Sequence, residues 1–340
     1  MPEPAADLPL PTQMYVLTTG TWVSQAISVA ATLGVPDELA AGPRAVTDLA
    51  SSVRADPPAL YRLLRALADI HLVDELGGRT FALTALGGLL RSDVPGSMRS
   101  WAIMVGRPFH RSSWTDLVAS VRTGKCAFER VHGRGAFDYL RDHPEDGKVL
   151  NDAMTAAAGQ FITPLVDSYD FSALGTVVDV GGGHGALLAA VLAASPGVRG
   201  ILFDLPEVIA GAGAPLREAG VADRCACLGG DFFQSVPPGG DAYLLSNIIH
   251  DWDDERAVQI LSRCRAAVGA GGRVLLGEAV LPGACQPSPA NWIDLEMLVM
   301  GSGRQRTETE YRELLRRAGL SLARVIPSHE MFQLVEATPV

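Results

Sequence analysis

From about residue 160 the chain alternates short apolar runs with amphipathic helical stretches, which restricts the fold more than any other feature of its 340 residues. The runs are Thr-Val-Val-Asp-Val at 176–180, Gly-Ile-Leu-Phe-Asp-Leu at 200–205, a cysteine-containing run ending at Gly229-Gly230, Asp-Ala-Tyr-Leu-Leu-Ser-Asn at 241–247, and Arg-Val-Leu-Leu-Gly-Glu-Ala-Val-Leu at 273–281. Strands apolar on both faces need cover on both sides, and the helices between them supply it, so this region predicts an α/β fold with a mostly parallel, Rossmann-like sheet. A helix begins at Asp253-Asp254-Glu255, with its acids where the helix dipole favours them, and it carries Ala257, Leu261, Cys264 and Val268 on one face. Thr307 and Glu310 have capping-box spacing before Tyr311, Leu314, Leu315 and Ala318, and two late strands are expected at 320–327 and 330–336.

The first third reads differently. Asp56-Pro57 is an N-cap followed by proline at the first helical position, and Leu60, Leu63, Leu64 and Leu67 share one face of the helix that follows. Two short strands around Gly77-Gly78 then form a wing, so residues 1–95 are expected to be a helical winged-helix unit. The segment 96–160 reads as a helical connector, and 161–340 as the sheet domain. Trp101, Phe109, Trp114, Phe128, Phe137, Tyr139 and Phe161, spread through the connector and just beyond, read as core aromatics.

Composition excludes several classes of function. A chain that is 48% apolar and 19% charged can bury a large core. Its net charge of −10 and lack of a basic block argue against nucleic acid as a partner. No basic residue precedes Arg44, so the start Met-Pro-Glu-Pro-Ala-Ala-Asp lacks the charged region of a secretory signal, and no apolar stretch is long enough to span a bilayer. Cytoplasmic residence is the expectation. Five scattered cysteines (126, 225, 227, 264 and 285) fit a reducing compartment; Cys225 and Cys227 share a strand face and read as buried small hydrophobes rather than a metal pair.

Val178-Asp179-Val180-Gly181-Gly182-Gly183-His184-Gly185 ends a strand and opens a helix, the place where open α/β sheets bind cofactors. Glycines let a ligand approach the backbone. The pattern Gly181-x-Gly183-x-x-Ala186, with Asp204 at the right distance to hold a ribose, also fits a nicotinamide dinucleotide, so this turn alone leaves the cofactor open.

The run Asp179-x-Gly181-x-Gly183-x-Gly185, then Asp204-Leu205-Pro206, Gly230-Asp231-Phe232-Phe233 and His250-Asp251-Trp252-Asp253-Asp254-Glu255, resembles the S-adenosylmethionine (SAM)-dependent O-methyltransferases of the plant caffeate and bacterial aromatic polyketide type. The resemblance covers almost the whole chain. It implies a class I methyltransferase fold behind a dimerisation domain, SAM as cofactor without a metal, a homodimer, and a small hydroxylated aromatic substrate. It further implies that Gly181, Gly183, Gly185, Asp204, Leu205, Asp231, Phe232 and Ser246 surround SAM. His250 would be the general base, with Glu278 holding its imidazole and Gln305 flanking it. Asp251, Asp294, Met297, Met300 and Met154 would face the acceptor. Two positions depart from the family pattern: Ser246 replaces a common lysine, and Gly303-Arg304-Gln305-Arg306-Thr307 has glutamine where a second glutamate is usual. A winged helix also suits a transcription regulator, which the acidic charge opposes. A methyltransferase-like protein with altered chemistry is opposed by the presence of His250 and Glu278.

Overall fold

The computed structural model describes residues 8–284 and 286–340. The first seven residues, Cys285 and the Phe137 side chain, all used above, lie outside the described residues. The chain divides into two compact units, one comprising residues up to 114 with 137–158 and the other 115–136 with 159–340. The segment expected as a connector is thus shared between them.

In the first unit β1 (Arg44–Ala45), β2 (Val73–Leu76) and β3 (Thr80–Leu83) form a three-stranded antiparallel sheet in the order β1-β3-β2. The helix Pro57–Ala68 starts where the sequence places it, with the Asp56 carboxylate accepting the Ala59 N–H at 2.9 Å. Leu60, Leu64 and Leu67 are buried on one face of that helix, in one core with Val46, Leu49 and Phe81. Gly78, at φ +72°, turns the wing between β2 and β3.

The second unit is built on seven strands in the order β11-β12-β8-β7-β4-β5-β6. They are β4 (Thr176–Val180), β5 (Arg199–Asp204), β6 (Cys225–Gly229), β7 (Ala242–Ser246), β8 (Arg273–Glu278), β11 (Leu320–His329) and β12 (Phe332–Pro339). The first five run parallel, and β12 lies antiparallel to both β8 and β11. Both faces are buried, as the unbroken apolar runs require. Val178, Tyr243, Leu245 and Leu276 pack on one side, and Val177, Leu202, Leu244 and Leu275 on the other, each buried aliphatic side chain stabilising by about 1.5–3 kcal/mol. The expected strand 273–281 breaks after Glu278, and β9 (Val280–Leu281) pairs instead with β10 (Arg306–Thr307). The late strands run longer than expected because each is the other's partner in a hairpin.

The reading of the two strand cysteines as buried also fails. Cys227 is exposed and Cys225 only half-buried, because β6 is the last strand of the sheet and lacks the cover given to its neighbours. No helix among the described residues is long and apolar enough to cross a membrane.

Candidate active site

The parallel strands bring the motifs together, although long stretches of sequence separate them. β4 leads into Gly181–Gly185, β5 ends at Asp204, β6 leads into Gly230-Asp231, β7 ends at Ser246 before His250, and β8 ends at Glu278. All five endings lie at the carboxyl edge of one sheet. Its order reverses between β4 and β7, where such folds open a crevice.

The turn after β4 requires glycine. Gly181, Gly183 and Gly185 have φ of +71°, +59° and +85°, a region closed to most side chains. A Cβ on Gly181 would meet Ile248 at 2.7 Å, so this turn packs against the turn after β7. At Gly183 a Cβ would meet nothing within 4 Å, so open space lies above the backbone there. Asp204 fixes the turn from β5, its Oδ2 accepting the Gly183 N–H at 2.8 Å and its Oδ1 the Leu205 N–H at 2.7 Å. Asp179 lies beneath, enclosed, with Oδ2 unpartnered; burial first, and then the charge of Asp204, push its carboxyl up to about 7. Asp231 accepts the Phe233 N–H at 2.8 Å, and Phe232 and Phe233 meet the Trp252 ring edge-on at 6.1 and 4.8 Å.

His250 sits in a short 3₁₀ turn after β7, and the backbone is steered into it by Asn247, which adopts φ +57° and donates its N–H to the Gly277 carbonyl at 3.0 Å. Asparagine tolerates this left-handed conformation better than other side chains. Glu278 is fully buried, and its carboxylate accepts two hydrogen bonds, from the Ile249 N–H at 2.8 Å and from His250 Nδ1 at 2.5 Å. Nδ1 therefore carries a proton and Nε2 is the nitrogen left for chemistry, with Asp251 Oδ1 lying 3.5 Å from it. Burial works to lower the imidazole pKa, but the charge and hydrogen bond of Glu278, with Asp251 adding to them, raise it to about 9.

The residues that hold this turn from behind went unassigned in the sequence. Arg306 is fully buried; its guanidinium donates to the carbonyls of Ile249 at 3.1 Å and Trp252 at 2.8 Å and pairs with Asp254. Gly303 lies so close that a Cβ there would fall 1.8 Å from the His250 carbonyl oxygen. Both belong to the Gly-Arg-Gln-Arg-Thr segment, which signalled them. Gln305 is the member expected to flank His250. Its side chain is enclosed and neither polar atom makes a hydrogen bond, so the orientation of the imidazole rests on Glu278. The Gln305 N–H donates to Asp294 Oδ1 at 2.8 Å, tying this segment to the helix Ala290–Met300.

Asn291, Trp292, Asp294, Leu295 and Leu298 of that helix line a cleft of about 310 Å³. Asp294 is thus placed at a cleft, whereas Met297 and Met300, half-buried on the same helix, do not line it. Met154 is exposed and belongs to the other unit. Among the described residues no group of three or more His, Cys, Asp or Glu side chains is arranged to hold a metal ion.

Comparison with known proteins agrees with this geometry. Residues 114–321 match the O-methyltransferase domain, and residues 15–93 match the O-methyltransferase dimerisation domain. The chain belongs to the SAM-dependent O-methyltransferases. This methyltransferase is 44% identical to the phenazine O-methyltransferase PhzM of Lysobacter antibioticus, over 99% of its own chain and 98% of that protein. Among solved structures, LaPhzM superimposes with a TM-score of 0.92 at 44% identity, covering 98% of this chain and 100% of the other. NcsB1 of neocarzinostatin biosynthesis, solved with SAM and 2-hydroxy-5-methyl naphthoic acid, matches with a TM-score of 0.79 at 35% identity, covering 94% and 96%. N-methyltransferases occur among the relatives as well.

The methyltransferase's own residues suit SAM. The cofactor has a cationic end, a ribose and an adenine. The left-handed glycine turn offers half-buried backbone with open space above Gly183, and carboxylates close the far ends of β5 and β6.

Proposed function

We propose that this methyltransferase transfers the methyl group of SAM to a hydroxyl of a small aromatic acceptor, with His250 taking the hydroxyl proton. One observation carries the proposal: the 2.5 Å bond between His250 Nδ1 and the fully buried carboxylate of Glu278. A buried acid that fixes the imidazole tautomer and stabilises its cation is the support a general base needs.

Bound SAM supplies an electrophilic methyl group on a sulfonium. The chain supplies the proton chemistry. A phenol of pKa ~10 is ionised to about one part in a thousand at pH 7, so forming the phenoxide costs about 4 kcal/mol. The neutral form of His250, a minor form at pH 7 that grows as pH rises toward about 9, accepts the proton at Nε2; Glu278 stabilises the imidazolium, and such a base contributes ~10²–10⁴ in rate. Holding acceptor oxygen and methyl carbon in line contributes up to ~7–11 kcal/mol more.

In this proposal Asp204 binds the ribose hydroxyls with its remaining lone pairs, Asp231 and Phe232 hold the adenine, and Leu205, Ser246, Gly181, Gly183 and Gly185 complete the cofactor wall. Asp251, Asp294, Met297 and Met300 are assigned to the acceptor side. Two copies assemble through the dimerisation domain, and neither nucleic acid nor membrane is a partner. Relatives named for a phenazine, and one solved with a naphthoic acid, support an acceptor of that fused-ring type.

The test uses methyl-labelled SAM and matched hydroxy- and amino-substituted phenazines, benzoates and naphthoates. Methylation at oxygen is expected, and His250→Ala should lower turnover ~10²–10⁴-fold while leaving SAM affinity unchanged. Methylation at nitrogen alone, or turnover within a few-fold in the variant, would overturn the proposal.

A further inference from the structure

Two thiols lie at the free edge of the large sheet and take no part in the site described above. Cys225 pairs with Gly200 and Cys227 with Leu202, so both side chains point to the same face of β6. Gly200 has no side chain to cover Cys225. Cys227 is exposed and Cys225 is half-buried, with the two side chains next to each other along the same face of the strand. Alternate residues of a strand have Cα atoms about 6.4–6.8 Å apart, and their parallel Cβ atoms about as far, beyond the ~3.5–4.5 Å between Cβ atoms that a disulfide needs, so the bond closes only when this edge strand bends. A bond closed there is strained, and strained disulfides are readily reduced again.

We propose that Cys225 and Cys227 are a reversible redox pair, converted by hydrogen peroxide from two thiols to a disulfide. The Cys227 thiolate attacks a peroxide oxygen and the O–O bond breaks; Cys227 becomes a sulfenic acid, and the released hydroxide takes up the thiol's proton as water. The Cys225 sulfur then attacks the Cys227 sulfur, the S–O bond breaks, and the hydroxyl leaves with the Cys225 proton as a second water. The two thiols lose two electrons and the peroxide gains two. The order of attack follows from the surroundings: Cys227 is exposed and within reach of the peroxide, whereas burial first, and then Cys227, push the half-buried Cys225 thiol up to about 12.

The same strand reaches the cofactor end of the sheet. Gly229 pairs with Asp204, the Gly230 N–H donates to the Asp204 carbonyl at 2.9 Å, and Asp231 follows. Straining β6 therefore moves both carboxylates assigned to SAM, a consequence that rests on the proposed function; disulfide formation itself does not.

The full chain is treated with hydrogen peroxide, alkylated and digested with trypsin. The peptide 225–256 contains these two cysteines and no other. It should become two hydrogens lighter, resist alkylation and revert with a dithiol reductant. Cys225→Ser should stop at a sulfenic acid on Cys227 that dimedone traps, and Cys227→Ser should give no dimedone adduct at Cys225. Two alkylatable thiols after peroxide, or dimedone adducts in the wild-type peptide with no disulfide, would overturn the pair. Titration with SAM should show several-fold weaker binding by the oxidised protein and recovery on reduction. A disulfide that leaves SAM affinity unchanged would overturn its link to the cofactor.

Discussion

At the scale of single residues, the carboxylates divide according to what their oxygens already hold. Glu278 is fully committed, with one oxygen on the Ile249 amide and the other on His250. Asp204 holds two backbone amides and keeps lone pairs free for a ligand. Asp204→Ala should therefore weaken SAM by about 1.5–3 kcal/mol for the lost charge-assisted bonds, with a further loss because the Gly183 amide is released. Asp204→Asn, which can still accept from that amide, should lose less; calorimetric titration of both variants checks this, and equal losses would mean that Asp204 only shapes the turn. The pH dependence of stability has a definite sign. His250 is raised from its ordinary 6.5 to about 9, so its pairing stabilises the fold fully below pH 6.5 and the contribution is lost as pH rises through 9. The excess unfolding free energy of the wild type over Glu278→Gln, measured by urea titration, should accordingly shrink across that window. Growth of the difference with pH would contradict the assignment.

At the scale of elements, the decisive contacts run between segments far apart in sequence. The Gly303–Thr307 segment supports the turn that carries His250 through Arg306 and leaves no room for a side chain at 303. Gly303→Ala should push the His250 backbone aside, lowering kcat by an order of magnitude or more while SAM affinity is retained. Calorimetry alongside turnover separates the two effects, and unchanged kcat would show that the turn yields freely. Local physics made much of this unit legible in the sequence. β4 spans the expected 176–180, and the Thr307–Glu310 capping box forms as its spacing requires. The glycines of the first turn were legible because positive φ leaves few other choices. What escaped depended on topology. That Cys227 lies on an edge strand follows from strand order, which periodicity does not encode. The buried guanidinium of Arg306 serves carbonyls more than fifty residues away in the chain. Gln305 drew attention by resemblance, yet its side chain carries no hydrogen bond.

At the scale of the whole molecule, the first unit leaves apolar surface that a single chain does not cover. Leu10, Met14, Tyr15 and Trp22 are 78%, 61%, 60% and 63% exposed on the first two helices, within or next to the segment that matches the dimerisation domain. Light scattering at micromolar concentration should give a dimer, and Trp22→Glu with Tyr15→Glu should shift it toward monomer. A wild-type monomer would remove the role assigned to this surface. The central claim, that His250 held by Glu278 removes the acceptor proton, is tested most directly by kcat/KM for an accepted phenol against pH, in the wild type and in Glu278→Gln. Because kcat/KM reports ionisations of the free enzyme, its acid limb should lie near the His250 value of about 9. Removing the carboxylate charge should move that limb to lower pH and lower the plateau, since the imidazolium is then less stabilised. A limb that stays in place in Glu278→Gln, or moves to higher pH, would show that His250 is not the titrating base.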